Sequence, residues 1–174
     1  PGTPYLVADP ERRIQWKALL ASFGNKPKIG ICWSGGSKYN KPKERNIGLE
    51  ALKPLIQSID ATWVSLQYKD PTEEIAATGL PVHHWKRATE TDDYDDTAAL
   101  VAELDMVIGV HTSVHHLAGA LGVPGLCKLS SWIQRDNHDT GQNRDNADNN
   151  QYFNKREASS FSIFIHILFC RDKP

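Results

Sequence analysis

Short apolar runs alternate with segments of helical periodicity along most of this chain, and that alternation limits the fold more than any other feature. Lys28–Trp33 (KIGICW), Thr62–Leu66 (TWVSL), Pro81–Trp85 (PVHHW), Asp105–Val110 (DMVIGV) and Val123–Leu129 (VPGLCKL) read as strands. Between them, Leu49–Ile59, Pro71–Thr78, Asp96–Leu104 and Thr112–Leu121 read as helices, with Gly79 and Gly122 as stop signals. Strands separated by helices are the sequence form of βαβ units, which build a mostly parallel sheet covered on both faces. The expected fold is therefore α/β, Rossmann-like and doubly wound. Residues 28–132 form that domain, 1–27 a linker with an N-terminal helix, and 133–174 a divergent extension. Within the extension, the Asn/Asp-rich run Asp136–Asn150 reads as a solvated loop, followed by the apolar Phe161–Cys170.

Composition narrows the function classes. A chain of 174 residues with net charge −1 has no bulk charge to recruit nucleic acid or an anionic membrane. Phe161–Cys170, the longest apolar stretch, is about half the length needed to span a bilayer. The N-terminus lacks the build of a signal peptide. Cys32, Cys127 and Cys170 are odd in number and far apart, as reduced thiols in a cytoplasmic protein are.

In a doubly wound sheet, ligands bind where strand carboxyl ends lead into helix N-termini. Three such places stand out: Ser34-Gly35-Gly36, Gln67, and His111-Thr112-Ser113. Paired glycines after a strand let backbone N–H groups approach a phosphate, although a plain turn explains them equally. Neither GxGxxG nor a P-loop is present. Lys38–Asn46 holds four cations in nine residues, Lys41 and Arg45 among them, which could neutralise a diphosphate or form a solvated loop. Thr112 and Ser113 can cap a helix, and the same N-terminus can take an anion. His111 and His115 have i, i+4 spacing, which invites zinc with a third ligand from His83-His84, but no HExxH glutamate lies between them. A histidine hydrogen-bonding sugar or phosphate fits better, and no metal is expected.

These segments also carry a resemblance. PYLVADPERRIQW, KIGICWSGG, ERNIGLEALKPL, VSLQ and DDTAALVAELDMVIGVHTSVHHLAGALGVP, in that order, resemble the C-terminal, donor-binding half of heptosyltransferase-like glycosyltransferases of family nine. The bacterial members in which this module follows tetratricopeptide repeats are the most similar in build. The match covers about Pro4–Trp132. The resemblance implies one half of a GT-B fold that binds a nucleoside-diphosphate sugar and transfers the glycosyl group without metal or other cofactor. It implies donor contacts at Ser34, Gly35, Gly36, Lys41, Gln67, His111, Thr112, Ser113 and His116, and leaving-group stabilisation by Arg45. Three departures accompany it: His111 stands where the family has aspartate, His115 where it has alanine, and Asn46 where it has serine. The acceptor-binding N-terminal half is absent from the sequence, so the isolated half is expected to lack turnover. A module that binds a nucleotide or a partner protein without transferring sugar is the alternative.

Overall fold

A computed structural model describes residues 3–35, 46–90 and 93–126. Helix α1 (Pro10–Ala21) precedes strand β1 (Lys28–Cys32). A 3-10 turn (Glu50–Leu52) leads into α2 (Lys53–Ser58), then β2 (Thr62–Ser65), α3 (Thr72–Thr78) and β3 (Val82–His83). Next come α4 (Lys86–Thr89), α5 (Tyr94–Ala102), β4 (Met106–Gly109), α6 (Ser113–Ala120) and β5 (Gly125–Leu126). The five strands are all parallel, in the order β3-β2-β1-β4-β5. Ile29 of β1 is in register with Trp63 of β2 and with Met106 of β4. The chain leaves β1 to one side and crosses back for β4 on the other, so the order reverses between β1 and β4. Among the described residues no helix is long and apolar enough to cross a membrane.

Both faces of the sheet are covered, which is why the central strands read as unbroken apolar runs. Ile29, Ile31, Trp63, Met106 and Ile108 point to one side, where Leu52, Leu55 and Ile56 cover them. Cys32, Val64 and Val107 point to the other, under Trp16 and Leu20 of α1, Ala99–Val101 of α5 and Leu117–Ala118 of α6. Each fully buried leucine or isoleucine in these layers contributes about 1.5–3 kcal/mol. Side chains pack closely over Gly30 on the second face: a Cβ there would lie 2.5 Å from Leu66 Cδ1 and 2.7 Å from Leu104 Cδ1, so both leucines would have to shift. At the end of β4, a Cβ on Gly109 would fall 1.9 Å from the Cys32 carbonyl oxygen.

The N-terminal helix is an integral layer of this domain. Asp9 caps it by accepting from Arg12 N–H at 2.9 Å. Its Trp16 indole donates to Asp96 of α5 at 2.9 Å, and Arg13 pairs with Glu103 at 2.6 Å. Boundaries shift from the sequence reading for local reasons. The segment expected as one helix over Leu49–Ile59 starts as a 3-10 turn, because Pro54 has no N–H to give an α-helical ladder. Helix α5 begins at Tyr94, two residues early, because the Asp93 carboxylate accepts from Asp95 N–H at 3.1 Å. Gly36, Lys41 and Arg45, the rest of the basic loop, and the extension 133–174 lie outside the described residues.

Candidate functional site

The carboxyl ends of β1, β2 and β4 open onto a cleft of about 410 Å³, at the point where the strand order reverses. Ser34 and Gly35 after β1, Gln67 and Tyr68 after β2, and His111, Thr112, Ser113 and His116 around the start of α6 all line it. Every described residue expected to contact the donor therefore lines one cleft, whereas His115, His83 and His84 do not.

Gln67 shapes the first wall. Its side chain is buried, 4% exposed, and its carboxamide is used on Ser34: Oε1 accepts from Ser34 N–H at 3.4 Å and Nε2 donates to Ser34 Oγ. Gln67 thus holds the turn after β1 in place in addition to facing the cleft. Gly35 N–H donates to Asn46 Oδ1 at 3.0 Å, and Ile47 N–H to the Trp33 carbonyl at 3.1 Å, so the two ends of the basic loop are tied together. Glu74 of α3 fastens the same base, accepting from Trp33 Nε1 and from Leu49 N–H, each at 2.7 Å. Gly35 leaves little room, since a Cβ would approach Thr112 Cγ2 to 2.6 Å and displace that side chain.

The second wall differs from the capping expected of Thr112. That residue occupies the N-cap position with extended backbone, but its hydroxyl makes no cap hydrogen bond and lies 3.4 Å from Cys32 Sγ. Ser113 Oγ accepts from Tyr94 OH at 3.2 Å. The N-terminal turn of α6 therefore faces the cleft without a side-chain cap, and such a terminus carries partial positive charge.

The three histidines separate into two roles. His111 precedes the helix, so the i, i+4 pair with His115 does not form; its ring packs edge-on against His116, with centroids 4.8 Å apart. His115 turns inward, where Nε2 donates to the Leu126 carbonyl at 3.0 Å and Nδ1 faces the Cys32 thiol at 3.6 Å. Burial pushes the His115 imidazole below its ordinary pKa, opposed by the Leu126 contact and reinforced by the nearby His111 and His116. His83, suggested as a further ligand, stacks on Trp85 at 5.9 Å and packs at a tilt against Phe23 at 4.2 Å.

Sequence reasoning missed Cys32, Tyr68, Thr89, Tyr94 and Thr97, which add polar groups to the lining. The signal for Tyr94 was available, because a helix that follows a strand in such a sheet begins at the carboxyl edge. Among the described lining residues none is a carboxylate, lysine or arginine, so the cleft offers hydroxyls, imidazoles, one carboxamide and a helix end. Such groups bind an anion or a sugar by hydrogen bonds.

No family model matches the chain, and no solved structure matches it. Among curated proteins it is similar to Protein FlbA of Caulobacter vibrioides, 36% identical over 137 residues. That match takes in 75% of this chain and 23% of FlbA, so the chain spans about a quarter of the length of that relative.

Proposed function

We infer that this domain binds a nucleoside-diphosphate sugar and is the donor half of a metal-independent GT-B glycosyltransferase. The observation that carries the reading is the uncapped N-terminus of α6, facing the Ser34 turn across a cleft at the β1/β4 reversal. In this reading the diphosphate lies between the α6 N–H groups and the Ser34-Gly35 turn, whose own N–H groups are held by Gln67 and Asn46, and His111 and His116 hydrogen-bond phosphate or sugar. Leaving-group charge would be stabilised by helix-end N–H groups and by cations of the loop that carries Lys41 and Arg45. The acceptor and its base come from a second half, consistent with a chain that spans a quarter of FlbA. Tetratricopeptide repeats, a bacterial source and a cytoplasmic location belong to the same proposal.

The test is thermal melting with ADP and with UDP. A ligand at a hundred times its Kd stabilises the folded state by about 2.7 kcal/mol. No rise in Tm with either nucleotide at several millimolar refutes donor binding. One observation favours a module without turnover: His111 places an imidazole, not a carboxylate, at the head of α6. His111→Asp separates the two readings, since a large gain in nucleotide-sugar affinity marks a site that has lost its acid.

A further inference from the structure

Beside the cleft, on its β3 side, a second group of polar side chains comes together that the nucleotide-sugar reading does not use. Asp70 follows β2, His84 follows β3 and Glu90 closes α4, and each offers one ligand atom within 4.8 Å of the others. The His84 side chain is only 8% exposed, with Nε2 2.6 Å from Glu90 Oε1. Its Nδ1 is buried and has no hydrogen-bond partner among the described residues. An ion bound at Nε2 would replace the hydrogen bond to Glu90, with the Glu90 and Asp70 carboxylates as its other ligands.

We propose that Asp70, His84 and Glu90 form a binding site for a divalent transition-metal ion of the zinc type. One imidazole and two carboxylates select a borderline cation such as Zn²⁺ over Mg²⁺ or Ca²⁺, which take oxygen ligands. Lys86 Nζ, 2.9 Å from Asp70 Oδ2, is the built-in competitor. That side chain is 69% exposed and can swing into solvent when an ion takes its place. An ion here would join three separate segments. Two of them carry cleft residues: Tyr68 lies two positions before Asp70, and Thr89 immediately before Glu90. Its role is to stiffen that wall of the cleft, apart from any group transfer.

The experiment is calorimetric titration of the chelator-treated chain with zinc alone, repeated for Asp70→Asn, Glu90→Gln, His84→Gln and Lys86→Met. The site predicts one zinc per chain, affinity at least tenfold weaker in the first three variants, and several-fold tighter in Lys86→Met because its competitor is gone. Cobalt substitution without thiolate charge-transfer absorption separates this site from the three cysteines. Melting curves identify any variant that fails to fold, and Glu90→Gln and Asp70→Asn are conservative enough to keep the test alive should His84→Gln be lost. No zinc binding, or binding that Asp70→Asn and Glu90→Gln leave within twofold, overturns the proposal. Unchanged or weaker binding in Lys86→Met removes Asp70 from the ligand set and overturns the three-ligand site.

Discussion

Replacing Gln67 by methionine keeps the length and most of the volume of a buried side chain while deleting both of its bonds to Ser34. The N–H contact at 3.4 Å is long and is given the low end of the range for a neutral hydrogen bond, about 0.5 kcal/mol. The contact from Nε2 to the Ser34 hydroxyl is given about 1–1.5 kcal/mol. The added apolar burial offsets a few tenths, so the expected loss is about 1–2 kcal/mol. In a domain of this size that lowers Tm by about 3–8 °C. Urea denaturation measures the free energy, and a cycle with Ser34→Ala isolates the pair. The two residues should couple by about 1 kcal/mol, so that Gln67→Met costs little once the Ser34 hydroxyl is gone. Strictly additive losses would refute the view that Gln67 acts by holding the turn. ADP affinity offers a second readout: a loosened turn should weaken binding several-fold in Gln67→Met.

Gly109→Ala should be among the most damaging single changes, costing at least about 4 kcal/mol or preventing folding, because the new Cβ meets the Cys32 backbone oxygen and no rotamer relieves it. Gly125→Ala, whose nearest neighbour would be a His115 carbon at 3.6 Å, is the control in the same denaturation assay; equal losses would contradict the geometry. The half-buried His115 is held below the ordinary imidazole pKa, so at mildly acidic pH the unfolded chain takes up a proton that the folded chain resists. That contribution is present above the unfolded value of about 6.5 and is lost as pH falls through and below it. His115→Gln should make the stability–pH slope between pH 7 and 5 shallower, and an unchanged slope would place the titration elsewhere, His83 being the other imidazole lowered by burial.

The parallel sheet was legible because its strands are buried on both faces and so show as unbroken runs: Ile29 to Cys32 and Met106 to Gly109 have no polar side to obscure them. The cleft followed from position, since Ser34, Gln67 and Thr112 each stand just past such a run. What the sequence hid was pairing at a distance. Nothing local says that Gln67 spends its carboxamide on a residue 33 positions earlier, or that Cys32 faces Thr112 and His115 across the sheet. The histidine spacing suggests a pair that the structure does not form, for a definable reason. Helical i, i+4 geometry needs both residues inside the helix, and His111 lies ahead of an N-cap whose backbone is extended. His84 was noticed in the sequence, but its partners Asp70 and Glu90 were not, being joined to it only by the fold.

The tie between Gly35 and Asn46, backed by Glu74 on both Trp33 and Leu49, closes the base of the intervening stretch with bonds that belong to its flanks. Once a base is closed in this way, doubling the number of residues above it costs only about 0.6 kcal/mol in chain entropy. Insertions, deletions or a wholesale exchange between Gly35 and Asn46 should therefore leave the sheet standing. The framework can keep its strands constant while this one segment drifts in length and charge, making it the natural place for a lineage, or an engineer, to change what the cleft accepts.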